Sequence, residues 1–169
     1  SPNTPELRKL QRQDLLPALL KQLQAANREH AKKHGAEPVP MLLKISPDEP
    51  FTEIDHILEA MQAENFDGII ATNTTVTRPP AFTAVKETGG LSGAPLNLRS
   101  SEVVNYIHRA TRGKLPIIGV GGITSAETAG RLTDAGASLV QFYTGWIYRG
   151  PFFPREVAQA LSWRQRKWL

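Results

Sequence analysis

The chain alternates between segments with the hydrophobic spacing of helices and short continuous apolar runs typical of buried strands. Apolar runs predict four strands, at residues 41–45, 69–73, 116–120 and 139–144. Leucines at helical spacing in residues 16–23 predict a helix before the first strand, and a further helix follows each strand. Continuous apolar strands that alternate with helices are typical of parallel sheets. The pattern therefore predicts an α/β fold.

Local signals predict where several helices begin and end. Pro17 lies in the first turn of the first helix, where proline is tolerated, and Gly35 ends that helix. Thr124 and Glu127 have the spacing of a capping box, which predicts the start of the helix after the third strand. Residues 74–98 form a long loop rich in proline and glycine, and loops of this length are often functional.

Two architectures fit four strand–helix units: an open doubly wound sheet and part of a (β/α)8 barrel. The chain has 169 residues, enough for one domain with a core but short of the roughly 250 of a complete barrel. We predict one domain over residues 1–169; four units would make half of an eightfold barrel, and both architectures stay open at this point. The start at Ser1 is expected to reflect a cut through a larger protein.

Composition narrows the possible chemistry. The chain has no cysteine, which excludes disulfides, thiolate metal ligands and a cysteine nucleophile. No apolar run reaches about 18 residues, so no membrane-spanning helix is expected. The net charge of +4 comes with basic clusters at residues 28–33 and 164–167, interpreted as solvated helix faces because no aromatic stacking motif accompanies them. His30 and His34 have a spacing that can bind metal, but no matching carboxylate is near, so we expect no metal site.

Polar residues and glycines stand at the carboxyl ends of the predicted strands, where parallel α/β folds place their functional groups. They are Lys44 at the end of the first strand, Thr72, Asn73 and Thr74 at the end of the second, Gly121 and Gly122 at the end of the third, and Tyr143, Thr144 and Gly145 at the end of the fourth. Lys44 would contact a bound anion or an electron-rich ring, or extend to solvent. Asn73 and Asn3 carry the donors and acceptors that suit the edge of a heterocycle, although Asn3 also fits a turn or a helix cap.

Gly121 and Gly122 lead from a strand toward a helix, which allows a phosphate to approach backbone amides. A tight turn without a ligand is the alternative. If these strands are the last four of eight, this loop and the segment at Tyr143 and Thr144 occupy the usual phosphate position of such barrels.

Six segments, in order along nearly the whole chain, resemble the dihydroorotate dehydrogenase family. They are SPNTP from Ser1, LKISPD around Lys44, ATNTT from Ala71, TGGLSG from Thr88, PIIGVGG from Pro116, and GASLVQ from Gly136 followed by Tyr143 and Thr144. The resemblance is closest to the quinone-reducing, membrane-associated class, which has serine in the SPN motif. It implies an FMN-dependent oxidation of dihydroorotate to orotate in pyrimidine synthesis, on a TIM barrel of which this chain is the C-terminal half.

The resemblance also implies roles for individual residues. Ser1 is the catalytic base, and the substrate is bound by Asn3, Asn73 and Thr74. The residues that hold FMN are Lys44, Thr72, Gly93, Gly122, Tyr143 and Thr144. The implied partners are dihydroorotate or orotate, a quinone and the N-terminal half of the barrel, with no nucleic acid.

The resemblance further implies peripheral attachment to the inner membrane through an N-terminal segment, on the cytoplasmic face in a bacterium or in the mitochondrion of a eukaryote. We expect the chain alone to be inactive, or nearly so, unless the other half is supplied. Two alternatives stay open. One is a half-barrel that binds FMN or phosphate without catalysis, and the other is a different FMN barrel, such as a dihydrouridine synthase or a pyrimidine-reducing dehydrogenase.

Overall fold

A computed structural model describes residues 15–166, and within that range the chain forms four strands and six α-helices. The strands are β1 (Leu42–Ile45), β2 (Gly68–Ala71), β3 (Ile117–Val120) and β4 (Leu139–Gln141). The helices are α1 (Leu16–His34), α2 (Phe51–Ala63), α3 (Asn97–Ala110), α4 (Ala126–Asp134), α5 (Thr144–Arg149) and α6 (Phe153–Arg166). Two short 3₁₀ helices, Pro80–Phe82 and Ala94–Leu96, lie in the long segment between β2 and α3.

The four strands form one parallel sheet in the order β1-β2-β3-β4, so each strand pairs with the next along the chain. Register partners in a parallel sheet lie on the same face. One such row joins Lys44, Ile70, Ile118 and Leu139, and the residues of this row are half-buried or exposed, with Leu139 63% exposed. The sheet therefore has one open face.

The opposite face of the sheet is covered by helices and contains the core. Ile45 and Ala71 are fully buried there, and a Cβ added at Gly119 would meet Leu132 and Ala137 of the α4 region. A doubly wound sheet has helices on both faces, whereas a barrel has helices only on the outside. One covered face and one open face therefore agree with the predicted half-barrel and not with the doubly wound alternative.

The predicted boundaries of α1 are confirmed. Pro17 lies in its first turn, and Gly35 ends it in the left-handed conformation (φ +60°) while its amide approaches the carbonyls of Ala31 and Lys32. Leu16 and Leu20 are buried as the spacing predicts, but Leu23 is 40% exposed. The helix packs against α2 through a narrower apolar stripe than Leu16, Leu19, Leu20 and Leu23 together predict.

Several boundaries differ from the prediction, and β2 ends at Ala71 rather than at Asn73. The capping box lies one residue later, because Ser125 accepts the Thr128 amide while the Thr128 hydroxyl accepts the Ser125 amide. Strand β4 ends at Gln141 rather than at Thr144, and the unpredicted helix α5 begins at Thr144. Within residues 15–166, no helix combines the length and apolar character that crossing a bilayer requires.

Candidate functional site at the carboxyl ends of the strands

A cavity of about 180 Å³ lies where the carboxyl ends of the four strands meet. Its lining contains eight residues predicted from the sequence: Lys44, Thr72, Asn73, Thr74, Gly93, Gly122, Tyr143 and Thr144. These residues come from five separate stretches of chain, so the fold brings together what the sequence separates. Ser1 and Asn3, the other two predicted residues, lie outside the described residues.

The end of β2 is fixed by backbone and hydroxyl hydrogen bonds. The Thr72 amide donates to the Val120 carbonyl at 2.8 Å, and the Asn73 amide donates to the Ile45 carbonyl at 2.8 Å. The Thr72 hydroxyl donates to the Asn73 carbonyl at 2.9 Å and lies 3.0 Å from the buried Ser100 hydroxyl. The β2 end is thereby tied to β1, β3 and α3, and its side chains have a defined position in the cavity.

The amide of Asn73 is oriented by its neighbour. Its Oδ1 atom accepts a hydrogen bond from the Thr74 backbone amide at 2.9 Å. Asn73 and Thr74 are both half-buried at the cavity wall. An oriented amide beside a hydroxyl can recognise a heterocycle that carries both N–H and C=O groups.

The glycine pair after β3 brings backbone to the cavity. Gly121 (φ +130°) and Gly122 (φ +66°) adopt conformations that residues with a Cβ rarely adopt. A Cβ on Gly122 would also overlap the backbone of Asn97, and one on Gly121 would overlap the Ser100 hydroxyl. Both glycines are therefore required, and their backbone lies at a surface that a ligand can approach closely.

Another part of the cavity rim combines two hydroxyl groups and close backbone contacts. The Ser92 and Thr144 hydroxyls lie 3.0 Å apart. Gly93 (φ +78°) packs beside the Thr144 methyl group, and Gly145 is so close to the Ile123 carbonyl that it admits no side chain. The exposed ring of Tyr143 completes this side. This rim offers hydroxyl and backbone groups suited to an anion such as phosphate.

Lys44 brings a positive charge to the cavity from the open face of the sheet. The loop after β1 is anchored to the loop after β2 through Asp48, which accepts hydrogen bonds from the Thr75 hydroxyl and, at 2.9 Å, from the Val76 amide. The loop after β2 closes on itself, because the Arg78 guanidinium donates to the Gly89 carbonyl at 2.7 Å. The loops beside Lys44 and Asn73 are thus braced against each other.

Some lining residues are not on the list predicted for the site: Ser92, Leu96, Val120, Gly121, Ile123, Phe142 and Gly145. Gly121 and Gly145 stand at predicted strand ends, and Ser92 adjoins Gly93, so their positions carried a signal. Leu96, Ile123 and Phe142 are apolar and look like ordinary core residues in the sequence.

His30 and His34, whose spacing can bind metal, lie with ring centroids 4.4 Å apart. Residues 15–166 contain no group of three or more side chains that could hold a metal ion.

Comparisons with known proteins agree on one family. The family model described as dihydroorotate dehydrogenase matches residues 1–164. The chain is 48% identical over 164 residues to a dihydroorotate dehydrogenase (quinone) of Gloeobacter violaceus, covering 97% of this chain and 44% of that relative. It is 50% identical over 163 residues to the enzyme of the same name from Vibrio parahaemolyticus, covering 95% of this chain and 48% of the relative.

Solved structures give the same result. DHODH from Eimeria tenella, solved in complex with ferulenol, superposes with a TM-score of 0.88 at 34% identity and covers 95% of this chain and 46% of that one. The ligand-free form superposes with a TM-score of 0.84 at 35% identity, covering 95% of this chain and 48% of that one. The chain spans about half the length of the relatives it matches, and its fold is half of their TIM barrel. Because the family model matches residues 1–164 and the four-strand sheet agrees with it, the chain belongs to the dihydroorotate dehydrogenase family.

Proposed function

We propose that this chain supplies the FMN-binding half of a quinone-dependent dihydroorotate dehydrogenase, which oxidises dihydroorotate to orotate in pyrimidine synthesis. The observation that carries the proposal is the cavity at the strand ends, because it brings together all eight of the predicted site residues that the structure describes. Relatives with about 48–50% identity that carry this name support the same activity.

The cavity fits part of FMN. Its backbone glycines and the hydroxyls of Ser92 and Thr144 suit the phosphate end, and Lys44 and Asn73 suit a polar ring edge. The volume of about 180 Å³ is below the roughly 300–1,000 Å³ of a complete small-molecule site. The residues present therefore suit the cofactor, while the volume suits a site to which a second half-barrel contributes the rest of the wall.

The proposed chemistry removes a proton from C5 of dihydroorotate and a hydride from C6. When bound, FMN supplies the hydride acceptor and passes the electrons to a quinone. Ser1, which lies outside the described residues, takes the C5 proton; a hydroxyl needs a relay or a positive field to act as a base near neutral pH. Asn3, also outside the described residues, and Asn73 with Thr74 hold the pyrimidine ring.

Lys44 has an electrostatic role in this proposal. A fixed positive charge in a partly closed site stabilises negative charge that develops as electrons arrive. Thr72 keeps the β2 end in place through its hydroxyl, and Gly93, Gly122, Tyr143 and Thr144 hold the phosphate end. All of these residues line the same cavity, which supports these roles.

A second candidate function is an FMN-binding half-barrel without catalysis of its own. The observation that favours it is the partial cavity together with the open sheet face at Ile70 and Ile118. Both candidates predict FMN binding, but only the first predicts that adding the complementary half-barrel restores dihydroorotate oxidation. Membrane attachment and quinone reduction are proposed for the assembled enzyme.

The test uses the purified 169-residue chain and, separately, the N-terminal half of the Gloeobacter violaceus relative. FMN binding is measured by flavin fluorescence, and reduction by the loss of flavin absorbance after anaerobic mixing with dihydroorotate. We expect the chain alone to bind FMN without turnover, and the two halves together to bleach the flavin and to be reoxidised by a quinone. FMN binding without bleaching in the mixture would favour the non-catalytic candidate, and no FMN binding would overturn both.

A further inference from the structure

Asn97 holds the glycine loop of the cavity from behind. It begins α3, is only 3% exposed and does not line the cavity. Its Nδ2 group donates to the Gly121 carbonyl at 3.2 Å and to the Thr128 carbonyl at 3.2 Å. One side chain therefore connects three elements: the start of α3, the loop after β3 and the first turn of α4.

The orientation of this amide follows from its partners. Two carbonyl oxygens face it, so only the NH₂ end, with two donors, can satisfy both. The other end, Oδ1, is buried and has no hydrogen-bond partner within the described part of the chain. A buried acceptor without a partner costs free energy. The two hydrogen bonds of the NH₂ group, and not Oδ1, therefore fix the position of the Asn97 side chain.

The glycine loop lies directly against Asn97. A Cβ on Gly122 would meet the backbone nitrogen and Cα of Asn97, and a Cβ on Gly121 would meet Ser100 one turn further along α3. Gly121 and Gly122 themselves line the cavity, whereas Asn97 does not. A displacement at Asn97 therefore moves the backbone that the ligand would contact, although Asn97 lies outside the cavity.

We propose that Asn97 is a positioning residue for the phosphate end of FMN: it holds Gly121 and Gly122 in the conformation that presents their backbone to the phosphate. This inference rests on the proposed FMN site. The two ends of FMN then have different neighbours: the glycine loop contacts the phosphate, whereas the ring lies toward Lys44 and Asn73. Loss of Asn97 should therefore weaken FMN more than riboflavin, which has the same ring system and no phosphate.

The test variant is Asn97→Leu, which has a similar branched shape, no charge and no donor. It also removes the unpaired Oδ1, so the free energy of unfolding should not fall in step with affinity. We expect the FMN dissociation constant to rise about ten-fold and that of riboflavin to change less than about two-fold, both measured by flavin fluorescence. Hydrogen exchange of the 121–124 amides, measured without flavin, should become faster.

Ser101→Ala is the matched control. Ser101 is also buried in the first turns of α3, but its hydroxyl donates at 2.8 Å to the Asn97 carbonyl within the helix and not to a carbonyl of the glycine loop or of α4. This variant should leave the FMN-to-riboflavin preference and the exchange of residues 121–124 unchanged. If Asn97→Leu does not fold, Asn97→Ser, whose short side chain cannot bridge both carbonyls, takes its place.

Three results would overturn the inference: unchanged FMN affinity in the Asn97 variant, equal losses of FMN and riboflavin affinity, or the same loss in Ser101→Ala. Failure of the proposed function has a different signature, since the unaltered chain would then not bind FMN at all. In that case the exchange experiment decides the role of Asn97. Faster exchange at 121–124 in the variant supports it, and unchanged exchange contradicts it.

Discussion

The hydroxyls of Ser92 and Thr144 lie 3.0 Å apart although 52 residues separate them in the chain. Ser92 belongs to the loop after β2, and Thr144 begins α5 after β4. The hydrogen bond therefore joins two residues that line the cavity and links the loop after β2 to the start of α5, although β2 and β4 do not pair. Its loss should loosen the rim more than the core, because both partners lie at the surface side of the fold.

Thr144→Val removes this hydroxyl and keeps the methyl group that packs beside Gly93. We expect the FMN dissociation constant to rise about five-fold, since one hydrogen bond is worth about 1 kcal/mol. The control is Thr133→Val, which removes a hydroxyl that bonds to the Gly130 carbonyl within α4. Equal FMN affinities for the two variants, measured by fluorescence titration, would contradict a role of Thr144 at the rim.

Gly122→Ala should destabilise the chain and abolish FMN binding. A left-handed conformation costs a residue with a Cβ roughly 1–2 kcal/mol, and the new methyl group would also overlap the Asn97 backbone. Gly35→Ala measures the cost of the left-handed conformation alone, because Gly35 has φ +60° but no atom within 4 Å of an added Cβ. Urea unfolding should show a larger loss for Gly122→Ala. Equal losses, with FMN binding intact in both, would argue against the close approach at Gly122.

The sequence predicts the strand–helix order well because each strand is a short apolar run and each helix has one apolar stripe. It predicts the end of β4 poorly. Phe142, Tyr143 and Thr144 are aromatic or β-branched and so favour a strand, but the chain leaves the sheet after Gln141 and α5 begins at Thr144. Propensity is overridden there by the close packing of Gly145 against the Ile123 carbonyl, a contact between residues far apart in the sequence.

The site itself is predictable as far as strand ends identify it. Lys44, Asn73 and Gly122 could be selected because they are polar residues or glycines at the carboxyl ends of apolar runs. Asn97 and Ser100 could not, because polar residues in the first turn of an amphipathic helix normally face solvent. Both are buried only because the loops after β2 and β3 fold over them.

Lys44→Met should slow flavin reduction in the enzyme reconstituted from both half-barrels. Methionine keeps most of the side-chain length and removes the charge, so the loss measures electrostatic stabilisation. We expect a decrease of about 100-fold in the reduction rate by anaerobic rapid mixing, as when one stabilising group is removed from an active site. Lys86→Met, on the exposed part of the long loop, should leave the rate unchanged. An unaltered rate in Lys44→Met would refute the role.

Tyr106 and Asp55 form a pair away from the cavity that links α3 to α2. The Tyr106 hydroxyl lies 2.8 Å from both carboxylate oxygens of Asp55, and its ring stacks on Phe51 with centroids 4.2 Å apart. The hydrogen bond to Asp55, with smaller contributions from burial and from the negative charge of Asp55, raises the pKa of Tyr106 above its ordinary value of 10.0. The neutral hydroxyl is therefore the form that the folded state favours.

A tyrosine whose pKa is higher in the folded state stabilises the fold fully below its unfolded pKa, and this stabilisation is lost as the pH rises through the folded value. We therefore expect Tyr106→Phe, which keeps the stacked ring, to be less stable than the unaltered chain at neutral pH. The difference should shrink above about pH 10, where the unfolded tyrosine ionises. Urea unfolding across this pH range measures it, with the exposed Tyr148→Phe as the control. A difference that persists unchanged into strongly alkaline solution would show that the hydroxyl acts on stability without the Asp55 bond.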